Sequence, residues 1–555
     1  MLRKGLLVFM VLLLILPVLL LAGCADDDEE EVEVVYELTD ERLTLQLDYP
    51  TGNVVRMNNA EVLQEMLGDI GIEIELAIHE FSVLVPKVYD DQDFDLYLMG
   101  WSLALDPDPA GIWLSTDKWN SVNFDHPDND RLIMEAKRTL DQSERRAIYS
   151  EWQDLLVEEA PYVWFYAEEE AWVANPRIKN FAADSFGVYW YVWEWEATDG
   201  PNQAIVALWS APEGLLTPNL NESVYDAYSF EPVFDGLMRW DPRSNYDLVP
   251  NIAKSMDISD DNLIITFELR EDVYFHDGVN LTAEDVKFTF EWICHPDYQG
   301  VRYSIFQDLV GAPEYNAGEA DEVTGIEIID DYTIRFHLSA VDAPFLGRMA
   351  PWGIHPKHYY GQAAIGDLGA GDSRVVNPIG AGPFKFVRYV DGQFTELAAY
   401  DEYHLGAPKL ETIIVKVASS DVAQAEAITG ESDIVWVQPN IRDYELYEAE
   451  GLKIHRMPAN AYQYMGIQTK HPILSDKRVR HAITHAIDKE LIVETLMDGL
   501  GVLQVCHISS VSWGYDPTIK PLPYDPERAG QLLDEAGWRM GDDGYRYRVA
   551  EPTEE

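Results

Sequence analysis

From Leu43 onward, apolar residues recur with two different periods. Leu43, Leu45 and Leu47 alternate with polar neighbours, which predicts a strand with one buried face. Val55, Val62, Met66 and Ile70 then fall near a 3.6-residue repeat behind Asn53, a helix-capping residue, and Gly71 ends the run. Period two returns over 72–78, and 94–99 is a third strand candidate. Strand, helix, strand, helix, strand predicts a largely parallel sheet with covering helices. Two further helices are expected over 128–140 and 144–159, the second capped by Ser143 and stopped before Pro161.

A short Asp-Gly-Pro-Asn break at 198–202 precedes a second run of elements. Strands are expected over 204–208, 263–270 and 333–338. Thr282 and Asp285 form a capping box opening a helix that runs to about Ile293. Ser475 is placed to cap another helix, with Val479, Ile483 and Ile487 stacked along one face. There is no internal repeat.

Composition narrows the class. The 555 residues carry 40 Lys+Arg against 98 Asp+Glu, a formal net charge of −58. Hydrophobic content of 47% and 12% aromatics exclude global disorder in spite of that charge. The length implies several lobes with room for real cores. Such acidity excludes nucleic acid as a partner, because a phosphate backbone needs stripes of Lys and Arg. It also suits a salty exterior that screens self-repulsion.

The first residues give an address. Arg3 and Lys4 precede an apolar run from Leu6 to Ala22, followed by Gly23 and Cys24. A basic start, an apolar stretch and small residues before a cleavage point make an export signal over 1–23. Leu21-Ala22-Gly23-Cys24 resembles the bacterial lipobox, which implies lipidation at Cys24 and anchorage on the outer face of the cytoplasmic membrane. Residues 24–42 begin with a dense acidic run and read as a solvated tether. Beyond Cys24 only Cys294 and Cys506 remain, either as buried thiols or as one disulfide.

Several blocks carry a family likeness. LIITFELREDVYFHDGVNLTAEDVKFTF (263–290), NPIGAGPFKFVRYVDG (377–392), RVRHAITHAIDKELIVETLMDGLG (478–501), SSVSWGYDP (509–517) and YDPERAGQLLDEAGW (524–538) resemble the oligopeptide/dipeptide-binding family (family 5) of extracellular solute-binding proteins that serve ABC importers. So does FDLYLMGWSLALDPDPAGIW (94–113). The order is unusual. In that family the Gly-Trp block and the aromatic tail GVYWYVWEWE (187–196) end the chain, whereas here they come first. The likeness therefore implies a circularly permuted chain. Residues 43–196 would be the family's C-terminal part, mostly in lobe 2 with a tail returning to lobe 1. Residues 197–458 would be lobe 1, and 459–555 the remainder of lobe 2. Permutation is tolerated when the old ends lie close together and the new break falls in an exposed turn, and Gly541-Asp-Asp-Gly544 is turn chemistry of that kind.

The resemblance implies an α/β fold, a two-lobed class II periplasmic-binding-protein-like clamshell with mixed sheets and flanking helices, closing on an extended peptide. It further implies a monomer that works beside separate permease and ATPase subunits. A zwitterionic ligand held in a desolvated cleft needs a partner for each charge, and aromatic walls for contact that tolerates different side chains. In typical members an Asp follows the Gly-Trp pair after two residues. Here that position is Ala104, and the acids stand at Asp106 and Asp108, which become the expected partners of a ligand ammonium. Trp101, Tyr225, Tyr464 and Trp513 are the expected aromatic walls. A disulfide between Cys294 and Cys506 would staple the lobes, so two free thiols are expected. No catalytic constellation, metal set or cofactor loop stands out. His481 and His485 have metal-ligand spacing but lack a third ligand, and no nucleophile elbow or Walker loop is present. The alternatives left open are other solutes in the same fold (dipeptide, oligosaccharide, metal chelate) and a secreted acidic glycoside hydrolase.

Overall fold

The computed structural model describes residues 36–221 and 223–550. Cys24, the export signal and most of the acidic tether lie outside those residues.

The period-two segments near the start of the chain do form a sheet, but not alone. Thr44–Pro50 runs parallel to Glu73–His79 and to Leu96–Ser102. Leu96–Ser102 then pairs antiparallel with Ala461–Ile467, in a register that sets Leu96 opposite Ile467, Met99 opposite Tyr464 and Ser102 opposite Ala461. Tyr162–Ala167 continues the sheet on the far side of Ala461–Ile467, and Val502–Leu503 closes it at six strands. The expectation of a largely parallel sheet is thus corrected to a mixed one.

Both faces of this sheet are buried. On one, Leu45, Leu63, Leu98, Ile483 and Leu533 pack beneath the helices Val54–Asp69, Lys477–His485 and Pro526–Glu535. On the other, Tyr97, Trp113, Trp152 and Tyr162 pack with the helices Pro127–Arg138 and Gln142–Glu159. Each such side chain taken out of water contributes roughly 1.5–3 kcal/mol. The first helix is capped by the Asn53 side chain, as its sequence predicts. Elsewhere the cap shifts. Asp141 rather than Ser143 caps Gln142–Glu159, and Asp476 rather than Ser475 caps Lys477–His485, since those carboxylates reach the free N–H groups of Glu144 and Arg478.

The chain crosses to a second lobe at Glu168 and returns at Ala459–Asn460. Between the crossings, a seven-stranded sheet is built around Gln203–Leu208, which runs parallel to Thr412–Val417 and Ile434–Val437. Glu169–Ala174 joins it between Ile434–Val437 and Lys453–Pro458. The aromatic tail packs against it, with Trp195 fully buried beside Phe181. A four-stranded antiparallel sheet holds 264–269 and 333–337 and packs on the helix Ala283–Cys294, where Thr282 N–H donates to Asp285 Oδ2 at 2.9 Å. Gly380 lies so close to Val233 that a Cβ would stand 2.1 Å from its carbonyl oxygen, so this glycine serves packing.

The two crossings touch, Ala459 N–H donating to Glu168 O at 2.8 Å. The first and last described strands also meet. Leu38–Arg42 pairs with Arg546–Val549, and Leu43 N–H donates to Arg546 O at 2.8 Å. Cys294 and Cys506 are free thiols, each fully buried, Cys294 under the four-stranded sheet and Cys506 beside Gln153 in the other lobe.

The central strand pair makes one position sensitive. A Cβ on Gly466 would stand 2.3 Å from a ring carbon of Tyr97, whose hydroxyl is tied to Ser121 and Tyr464. Gly466→Ala is expected to cost about 1–3 kcal/mol, read as a lowered urea midpoint with unchanged slope; an unmoved midpoint would show that the ring gives way freely.

Candidate functional site

Open α/β sheets present ligands at the carboxyl ends of their parallel strands. Here the strands Gln203–Leu208 and Ile434–Val437 end beside the crossings, at a cavity of about 290 Å³ between the lobes. Its aromatic wall is Trp209 stacked on Trp436, centroids 4.3 Å apart and planes at 9°, fixed by the Trp209 Nε1 donor on Trp436 O at 2.7 Å. Trp172 lies parallel to Trp436 at 5.9 Å. Tyr225, on the helix Val224–Phe230, stands 6.4 Å from Trp436, so this sequence-predicted wall residue joins the aromatic group. The facing rim is acidic. Arg456 and Tyr444 hold Glu169 at 2.8 and 2.7 Å, and Glu168 accepts from Gln463 at 3.1 Å. Burial, then the neighbouring charge of Glu168, raises the pKa of Glu170.

A second cavity of about 320 Å³ adjoins the first through Ser102, which lines both. Asp106 and Asp108 lie on its wall, and each already has an arginine. Asp106 is buried at 7% exposure and makes a two-pronged pair with Arg145, at 2.8 and 2.9 Å. Burial works against the charge on Arg145, but the Asp106 carboxylate outweighs it and holds the guanidinium's pKa raised. Asp108 Oδ2 accepts from Arg348 Nη2 at 2.6 Å, and Arg348 belongs to the other lobe, on the helix Ala343–Met349. A second bridge between the lobes lies nearby, Lys137 with Asp308 at 3.2 Å and Asp342 at 3.5 Å. Burial pushes the Asp342 carboxyl up to about 6, against the opposing pull of the Lys137 and Arg348 cations.

The remaining predicted walls sit elsewhere. Trp513 is buried against the Arg145 guanidinium, 5.1 Å from its ring centroid, and so supports the Asp106 pair. Trp101 meets Tyr89 and Trp119 edge-on, at 5.9 and 6.0 Å, inside its own lobe. Tyr464 is a core residue. It is fully buried, stacked on Tyr162 at 4.1 Å and bonded to Tyr97 and Tyr89, because the sheet is covered on both faces. The expectation of a cleft wall does not describe its surroundings. Sequence reasoning missed Trp209, Trp436, Arg145 and Arg348. Only the two tryptophans had a readable signal, each at the carboxyl end of a short apolar strand.

His481 and His485 each bond a backbone carbonyl, of Glu158 and Pro523, at 2.6 and 2.7 Å. Among the described residues no group of His, Cys, Asp or Glu is arranged to hold a metal, and no helix is long and apolar enough to cross a membrane.

The structure is thus two lobes joined by two short crossings, with a partly aromatic, partly charged cleft between them. The chain belongs to the bacterial extracellular solute-binding proteins, family 5 Middle, whose sequence profile matches residues 19–123 and 247–555. It is 34% identical over 314 residues to the oligopeptide-binding protein AppA of Bacillus subtilis, covering 55% of this chain and 54% of that protein. It is 28% identical over 347 residues to the dipeptide-binding protein of Escherichia coli, covering 60% and 62%. The match therefore spans between a half and two thirds of these relatives' length. Among solved structures, HbpA2 from Haemophilus parasuis shares the fold at 23% identity and a TM-score of 0.50, covering 60% of this chain and 67% of that one.

The Asp106–Arg145 pair yields a test. Removing one partner of a buried pair leaves the other charge uncompensated and typically costs 3–5 kcal/mol. Asp106→Asn is expected to lower unfolding stability by about that amount, measured in urea, and a loss below about 1 kcal/mol would show that the pair carries no structural weight.

Proposed function

We propose that this chain is an extracytoplasmic receptor that captures oligopeptides and delivers them to an ABC-type importer, without chemically altering them. The observation that carries this reading is the interlobe cleft, where indole faces offer contact that tolerates different side chains. The names of the matched relatives support a peptide ligand. The permease and ATPase would be separate subunits. Cys24 would hold the receptor to the outer face of the membrane through lipid, with the receptor itself monomeric.

Within the cleft, Asp108 is the proposed partner of the ligand's ammonium. Arg348 comes from the opposite lobe, so opening would withdraw it and uncover Asp108, whereas Asp106 and Arg145 share a lobe and stay together. Removing a carboxylate that faces a ligand cation costs about 2–5 kcal/mol. Asp108→Asn should accordingly weaken peptide binding by tens of fold or more, and N-acetylation of the peptide should weaken binding to the wild type alike. Equal affinity in both cases would place the amine elsewhere. Peptide recovered intact after incubation separates a receptor from a hydrolase, and native mass spectrometry of what co-purifies separates peptides from sugars and chelates.

We also infer that the chain order is permuted, with 43–196 equivalent to the family's C-terminal part. Three observations support this. Residues before 168 and after 459 build one lobe together. The first and last described strands, Leu38–Arg42 and Arg546–Val549, lie side by side in one small sheet. A colinear alignment of a permuted chain follows one piece only, and the curated matches run over 314 and 347 residues. A rearranged chain with 203–548 first and 43–196 appended through a short linker should fold and bind the same ligand with similar affinity, checked by circular dichroism and calorimetry. Collapse of that chain into an unfolded or non-binding form would count against the permutation.

A further inference from the structure

We propose that the hinge-side cavity beside Trp209 is a subsite for a cationic side chain, Lys or Arg, of the bound peptide; this rests on the peptide-receptor reading and names the part of the ligand that the cavity takes. Its walls come from both lobes, Trp209, Trp436 and Glu170 from one, Ser102 and Gln463 from the other, with Glu168 at the crossing between them. Each of these residues keeps accessible surface. The volume of about 290 Å³ is roughly that of ten liquid waters at ≈ 30 Å³ each, room for one long side chain. The Asp108 cavity adjoins through Ser102, so a peptide whose ammonium meets Asp108 can set a nearby side chain here.

Two independent features set the chemistry. The first is charge. The carboxylates of Glu168, Glu169 and Glu170 all line the cavity. Arg456 answers Glu169, which its Nε and Nη2 reach at 3.0 and 2.8 Å. Glu168 accepts an amide N–H from Gln463 at 3.1 Å, and Arg56 stands one residue further back, its Nε donating to Gln463 Oε1 at 2.9 Å. Glu170 has no cation and no hydrogen bond among the described residues, and the charge that acts on it is the like charge of Glu168. Burial and that neighbour hold its carboxyl raised, a cost that an entering cation relieves and a neutral or anionic side chain does not. The second feature is the indole pair. Trp209 stacks on Trp436 at 4.3 Å and has no other ring and no cation against it among the described residues. Its second face is therefore available to a cation, and a Lys stem or a planar guanidinium lies well along such a surface. The indoles alone would tolerate any side chain; the unanswered carboxylate on the same cavity turns tolerance into a preference for a cation.

The test is calorimetric titration of the full chain with alanine pentapeptides in which one Lys, norleucine, Arg, citrulline or Glu is moved along the sequence. Norleucine and citrulline approximate the shapes of Lys and Arg without the charge. At one position Lys should bind at least about fivefold tighter than norleucine, and Arg than citrulline, with Glu weakest. Glu170→Gln should bring the Lys-to-norleucine ratio at that position below about twofold. A second variant guards against misfolding of the first. Glu168→Gln keeps a side-chain oxygen that can accept from Gln463, and it should lower the same ratio. The proposal is overturned if the wild type prefers Lys at no position, if Glu is preferred where Lys should be, or if the folded variants keep the full ratio. Peptides that bind without discrimination remove the subsite and leave the receptor reading standing, whereas failure of every peptide to bind removes both.

Discussion

The pairing of Leu96–Ser102 with Ala461–Ile467 is the interaction on which the molecule depends. It joins residues near the start of the chain to residues near its end, and it forms the middle of a sheet buried on both faces. Its end also sets the cleft. Ser102 and Ala461 are opposite one another, and Leu103 N–H donates to Asn460 O at 2.8 Å, so the loop bearing Asp106 and Asp108 is launched beside the returning crossing. A slip of one residue in this register would turn every side chain to the other face and separate Ser102 from Asn460.

The charges in the cleft follow a different logic from the charge of the whole. A chain with 98 acids has many carboxylates to spare, and few of those among the described residues are buried. Four of those at or near the cleft are matched with scarce cations, Asp106 with Arg145, Asp108 with Arg348, and Asp308 and Asp342 with Lys137. The first pair lies within one lobe and is shielded from solvent, so it stays made in any lobe arrangement. The other two span the lobes, so any separation of the lobes would break them. Their worth falls as salt rises, more for the half-exposed Arg348 than for a buried pair.

Local pattern was legible and distant pairing was not. The strands at 44–50, 73–79 and 96–102 announce themselves by period, and Asn53 by its capping chemistry. The caps at Asp141 and Asp476 were missed by one or two positions because a serine and an aspartate stood close together and the carboxylate won the helix N–H groups. Asp106 and Asp108 were singled out through their place in a family block. Their partners could not be, since Arg145 lies 39 positions away and Arg348 lies 240 away. Tyr464 was expected at the cleft from its place in a family block, but helices on both sides of this sheet leave neither face to solvent and put it in the core.

The order of elements along the chain also constrains how it folds. The lobe between the crossings is contiguous, from Glu169 to Pro458, and can fold without waiting for either end. The other lobe cannot, because its first strands lack the central strand that arrives last. Pairing Tyr97 with Tyr464 across 367 positions of open chain would carry a large loop-closure cost. Once the contiguous lobe has formed, however, Glu168 and Ala459 are held 2.8 Å apart, N to O, and the intervening chain no longer counts as a loop. Tyr162–Ala167 and Ala461–Ile467 then leave the same point side by side, and their pairing becomes as local as a hairpin. The folded middle lobe is what makes an incomplete lobe at each end complete.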